Sequence, residues 1–158
     1  MSKLVIRLLR IALVVLLLGS VLGQVLVPVF ASEAARAFPE VGYLVVPYSV
    51  AGILVIACGQ VALLVVWRLL SMISGGVIFT RRALRWVDVI IACAVVATVL
   101  SVGVLVHMLG FVPGGGGPTI YFMAACVAGG LAFVLLLVVM RGPLASAIAD
   151  RTELDEVI

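Results

Sequence analysis

The side chains able to do chemistry are few and scattered. His107 is the only histidine, and Cys58, Cys93 and Cys126 stand beside seven acids and ten basic residues in a chain of 158. A thiolate metal site or a redox pair needs cysteines a few residues apart, or a histidine at ligand spacing. Here each cysteine falls alone in a different apolar run, at a different depth. They read as small polarizable packing residues, and no metal or cofactor is expected. With one histidine, and with acids only at the edges of apolar runs, no nucleophile triad, His-Glu-x-x-His site or carboxylate pair can be assembled. The chain is not expected to be an enzyme.

The large polar residues nearest the middle of the apolar runs are Gln24 and Gln60. Each needs a hydrogen-bond partner in lipid and could serve as glue between helices worth about 0.6–2 kcal/mol. Gln24 reads as lying towards the outer side and Gln60 towards the cytoplasm, so direct contact between them is not expected. Asp88 sits at the edge of an apolar run. Its expected partners are Arg85, three residues back on the same helix, or Arg68 across the turn. His107 is four residues from the end of its run, where it is tolerated near water. A proton-coupled exporter would want a carboxylate in its first span, which offers Gln24 and Ser20 instead, so transport is the weaker reading.

The elements that must hold these groups follow from composition. With 66% apolar and 11% charged residues and a mean hydropathy of +1.45, the chain is far from the roughly one-quarter charged balance of a soluble domain. Four apolar runs, 11–31, 43–67, 87–111 and 119–140, each reach the ~20 residues that cross the hydrocarbon as a helix. The expected fold is an all-α, single-domain, four-helix membrane bundle. Val29-Phe30-Ala31 has the small-residue end of a signal peptide, but the run is long enough to be an uncleaved span. Segment 32–42 reads as an outer loop with Ser32 capping a short turn of helix, and 112–118, which contains Gly114 to Gly117, as a second, uncharged and flexible one. Nine of the ten Lys and Arg residues flank the other side, in the N-terminal flank, the turn 68–86 and the tail 141–158; only Arg36 lies opposite. That bias places both termini in the cytoplasm. The basic flanks are explained by orientation, and direct nucleic-acid binding is not expected.

Small residues suggest where helices meet. Gly19-x-x-x-Gly23 puts two bare positions on one face, for packing within the bundle or for a homo-oligomer. Cys93, Ala97 and Ser101, and likewise Ala124, Ala128 and Ala132, recur at every fourth position. Arg141-Gly142-Pro143 reads as the end of the fourth helix. The segment beyond it is acidic, and Asp155 and Glu156 could dock on Arg81, Arg82 or Arg85 across the cytoplasmic face.

Trp67-Arg68-Leu69-Leu70, Gly76-Val77-Ile78-Phe79-Thr80, Ala83-Leu84-Arg85-Trp86-Val87-Asp88 and the closing Glu153-Leu154-Asp155-Glu156-Val157-Ile158 resemble a bacterial family of small four-span membrane proteins of unknown function, particularly its actinobacterial branch. The resemblance implies a multi-pass protein of the bacterial cytoplasmic membrane. Members often lie beside a small helix-turn-helix regulator, so it also implies a cytoplasmic partner. A non-enzymatic sensor or regulatory partner is the expected function. The alternatives are a small transporter or channel subunit, and a structural subunit of a larger membrane complex.

Overall fold

The computed structural model describes residues 3–37, 39–74, 81–111 and 118–156, and they contain helix and no strand. Helix α1 is Lys3–Ala37, a 3₁₀ turn covers Pro39–Leu44, α2 is Val45–Ser74, α3 is Arg81–Phe111 and α4 is Pro118–Glu156. Four stretches, Leu4–Glu33, Gly42–Met72, Leu84–Phe111 and Ile120–Ser146, are long and apolar enough to cross a membrane. In lipid a helix satisfies its own backbone groups, which is why such runs fold this way. The result is a four-helix membrane bundle.

The helices pack in chain order. α1 lies on α2, α2 on α3 and α3 on α4, while among the described residues α1 and α4 do not approach each other. The shielding pattern follows from this. On α1 the shielded positions run Ile6, Arg10, Leu13, Leu17, Ser20, Gln24 and Val27, alternating steps of four and three. On α4 they run Ile120, Met123, Val127, Gly130, Val134 and Leu137 in the same alternation. A 3.5-residue repeat is the seam of two helices winding past each other, so each end helix carries one seam. α3 carries two: one through Trp86, Ile90, Cys93 and Ala97 towards His107, the other through Val87, Ile91, Ala94, Thr98 and Ser101. The buried side chains Leu13, Val65, Leu70 and Ile90 lie along these seams. Large apolar residues off them, such as Leu18, Phe122 and Val139, are exposed and face lipid.

Several expectations need correcting. Segment 32–37 continues α1, and Ser32 donates to the carbonyl of Val29 at 2.8 Å instead of capping a new helix. α4 does not stop at Arg141-Gly142-Pro143 but runs through Pro143 to Glu156. Proline there removes one backbone bond, to Val139, and neighbouring turns carry the helix on. The fourfold rows of small residues do not track the seams, because steps of four drift around a helix of 3.6 residues per turn. Cys93 and Ala97 fall on one seam of α3 and Ser101 on the other, and Ala124, Ala128 and Ala132 are exposed. A Cβ added at Gly19 would meet nothing within 4 Å, and one at Gly23 would meet only Ile56 Cδ1 at 3.8 Å, so this pair forms no single close-packing face within the chain. The close approaches are elsewhere: a Cβ on Gly52 would lie 3.4 Å from Val27, and one on Gly130 would lie 2.9 Å from Thr98 Oγ1.

Aromatic residues mark two levels along the bundle. From Tyr48 to Trp67 is about 28 Å of α2, and from Trp86 to His107 about 31 Å of α3, at ~1.5 Å per residue. Both match the ~30 Å hydrocarbon thickness.

Candidate functional site

Each pair of neighbouring helices is joined by polar side chains. Between α1 and α2, Gln60 Nε2 donates to Gln24 Oε1 at 3.0 Å, and Gln24 Nε2 donates to the carbonyl of Ile53 at 3.3 Å. The two glutamines therefore meet, contrary to the expectation from their depths. The reason is the continuation of α1 through Ala37, followed directly by the 3₁₀ turn, which sets Gln24 and Gln60 at similar distances from the connection. The pair is about 10 Å inside the level of Trp67.

Between α2 and α3 the described residues show a tie at each aromatic level. At one, Tyr48 Oη and His107 Nδ1 are 2.9 Å apart, with the rings edge-on at 5.9 Å. His107 also stacks on Phe111, one turn along α3, at 5.2 Å. At the other, the Arg68 guanidinium lies over the Trp86 ring, 5.6 Å from its centre, within cation–π range. The His107–Phe111 spacing of four is visible in the sequence. Tyr48 is not, since it arrives from another helix.

Between α3 and α4, Arg141 grips Asp88 with both ends of its fork: Nε donates to Oδ1 at 2.5 Å and Nη2 to Oδ2 at 3.1 Å. This corrects the expected pairing of Asp88 with Arg85 or Arg68. Arg85 is exposed, Arg68 is on Trp86, and the ion pair ties spans three and four. With α4 unbroken past Pro143, Arg141 stands one seam step beyond Leu137, level with Asp88 on the antiparallel helix. The bond between Asp88 and Arg141 is half-exposed on both sides, at the edge of the apolar stretch.

Hydroxyls are absorbed locally: Ser20, Thr98 and Ser101 donate to the carbonyls of Leu17, Ala94 and Ala97 at 2.7–2.9 Å. Among the described residues two buried polar atoms lack a partner, Arg10 Nε and Ser49 Oγ. The cysteines are free, and among the described residues no three His, Cys, Asp or Glu side chains gather as a metal site. The side chains of Arg81, Arg82, Asp155 and Glu156, proposed to dock on one another, lie outside the described residues, as do Gly114 to Gly117. The arrangement links four helices in a row through polar contacts between neighbours.

Four long apolar helices tied by polar contacts define a multi-pass α-helical membrane protein. A family model described as "Protein of unknown function (DUF2975)" matches residues 29–158, and the chain belongs to that family. No curated protein and no solved structure matches it.

Proposed function

We propose that this chain is a non-enzymatic sensor or regulatory partner in the bacterial cytoplasmic membrane, with both termini cytoplasmic, acting on a cytoplasmic protein. The observation that carries this reading is the continuity of α4. It runs as one helix from Pro118 through its apolar stretch, which ends at Ser146, to Glu156. The segment past Ser146 holds Asp150, Glu153, Asp155 and Glu156 against Arg151 alone. From Arg141 to Glu156 this helix is about 22 Å long, enough to reach beyond the headgroups. A displacement of the bundle would move this acidic arm as a lever, with the Asp88–Arg141 pair as its fulcrum.

The bias of Lys and Arg supports the orientation, and the resemblance supports a helix-turn-helix protein as the partner. An acidic arm also suits a basic, DNA-binding protein by charge. The test is capture from cells by crosslinking the intact chain and a chain truncated after Ser146. A soluble partner held only by the intact chain supports the reading. The same capture by both would remove the arm as the docking site.

A second reading, a small transporter or channel subunit, is favoured by the Gln24–Gln60 pair, the side-chain contact between helices set deepest in the apolar stretches among the described residues. Solute flux in proteoliposomes that disappears with Gln24→Leu would favour it. The uncovered outer faces of α1 and α4 fit a third, a structural subunit or homo-oligomer, which intact-complex mass measurement would detect.

A further inference from the structure

We propose that the Trp67–Trp86 end of the bundle is a binding site for the phosphate of an anionic lipid headgroup, built by Arg10 and Arg68 with Arg7 and Arg85 around them. The inference is independent of the regulatory reading.

The helix register brings the cations together. Gly52 faces Val27 and Ile56 faces Gly23, so each step of four along α2 is matched by a step of four back along α1. Continued to the other end, that register sets Arg10 opposite Leu69, within a turn of Arg68. Arg68 in turn lies over Trp86 of α3, one residue from Arg85. Arg10 occupies a seam position between Ile6 and Leu13. Its Nε is shut off from solvent and has no acceptor among the described residues. A shielded guanidinium N–H without an acceptor is costly, and an outside oxygen that draws the half-buried Arg10 head out of the seam would relieve that cost.

Among the described side chains no carboxylate supplies it. Before Glu33 α1 holds no acid, Val45–Ser74 holds none, and Asp88 is gripped by Arg141. Among the described side chains, four arginines therefore stand near one end of the bundle with no carboxylate paired to them. Phosphate chemistry fits them: a guanidinium fork matches two phosphate oxygens, and stacking Arg68 on Trp86 orients its fork while leaving its edge free to donate. The depth selects the lipid as the source of the phosphate. Trp67 and Trp86 mark the interfacial level, and arginine stems can lie along apolar surface while their heads reach the headgroups.

The full chain, purified in mild detergent, is offered phosphatidylglycerol and phosphatidylcholine in equal amounts, and retained lipid is read by native mass spectrometry. The wild type is expected to keep phosphatidylglycerol in preference. Arg10→Gln and Arg68→Gln should each lower that retention about fivefold, corresponding to ~1 kcal/mol per arginine near a lipid surface, with phosphatidylcholine unaffected. Arg36→Gln, at the opposite end, should change nothing. Equal retention of both lipids by the wild type, or full retention by the double glutamine variant, would overturn the proposal. So would stripping of phosphatidylglycerol by excess inorganic phosphate, which would mark a free-phosphate site. Circular dichroism checks that the variants fold. If the glutamine pair does not, Arg10→Lys with Arg68→Lys keeps the charge and loses the fork. Reduced phosphatidylglycerol preference is expected there, and unchanged preference would contradict the assigned role of the guanidinium.

Discussion

Arg141 of α4 meets both carboxylate oxygens of Asp88 on α3, at 2.5 and 3.1 Å, five residues before the apolar stretch of α4 ends at Ser146. The pair fixes the last turn inside the membrane to the neighbouring helix, and everything beyond it depends on that clamp. Arg141→Gln should therefore speed amide hydrogen exchange across residues 142–150 several-fold with little effect on α1. Exchanging the charges, Asp88→Arg with Arg141→Asp, should restore protection. Protection unchanged in the single variant would show that α3–α4 packing holds the arm without the ion pair.

The glutamine pair makes a quantitative test. Gln24→Leu or Gln60→Leu leaves the other amide short of a partner in lipid. Each should cost about 0.6–2 kcal/mol in unfolding from mixed micelles, and the double change should cost less than the sum. A double-mutant cycle should return a coupling near 1 kcal/mol. Strict additivity would mean that the 3.0 Å contact contributes nothing.

Glycine positions separate close packing from open helix surface. Gly130→Ala would place a carbon 2.9 Å from Thr98 Oγ1, on a β-branched side chain with little rotamer freedom whose hydroxyl is already bonded to Ala94. A loss of about 1–3 kcal/mol is expected, relieved by adding Thr98→Ala. Gly129→Ala, with nothing within 4 Å, should be neutral or gain up to ~1 kcal/mol from helix propensity. Thermal unfolding of these three variants beside the wild type checks the contrast.

At the other aromatic level, Tyr48→Phe keeps the ring and removes the hydroxyl that meets His107. The expected loss is about 0.5–1.5 kcal/mol, that of one hydrogen bond, and imidazole nitrogen NMR shifts of His107 should move. If neither changes, the α2–α3 contact there is held by ring packing alone.

Much of the architecture is legible in the sequence, because four apolar runs separated by charged or glycine-rich segments permit few alternatives in lipid. The site is less legible, and each miss has a physical source. Spacing along the sequence points Asp88 to nearby arginines, whereas its partner Arg141 lies on a helix that continues past a Gly-Pro pair that usually ends one. Gln24 and Gln60 read as lying at different depths because Ser32 to Ala37, with its i,i+3 pair of Arg36 and Glu33, looks like a charged loop and is helix. The rows of small residues recur at every fourth position, while the seams alternate steps of three and four. The contact of Tyr48 with His107 is carried by no local pattern. It arises only when α2 and α3 lie antiparallel in this register.

The central claim is that the acidic end of α4 engages a cytoplasmic protein, and it is tested most directly by placing a photocrosslinking residue at position 153 of the full chain in cells. The account predicts crosslinks to a soluble regulatory protein that are lost when the chain is cut after Ser146 and weakened when Arg141→Gln loosens the arm. Crosslinks to lipid alone, or to further copies of the same chain alone, would contradict it.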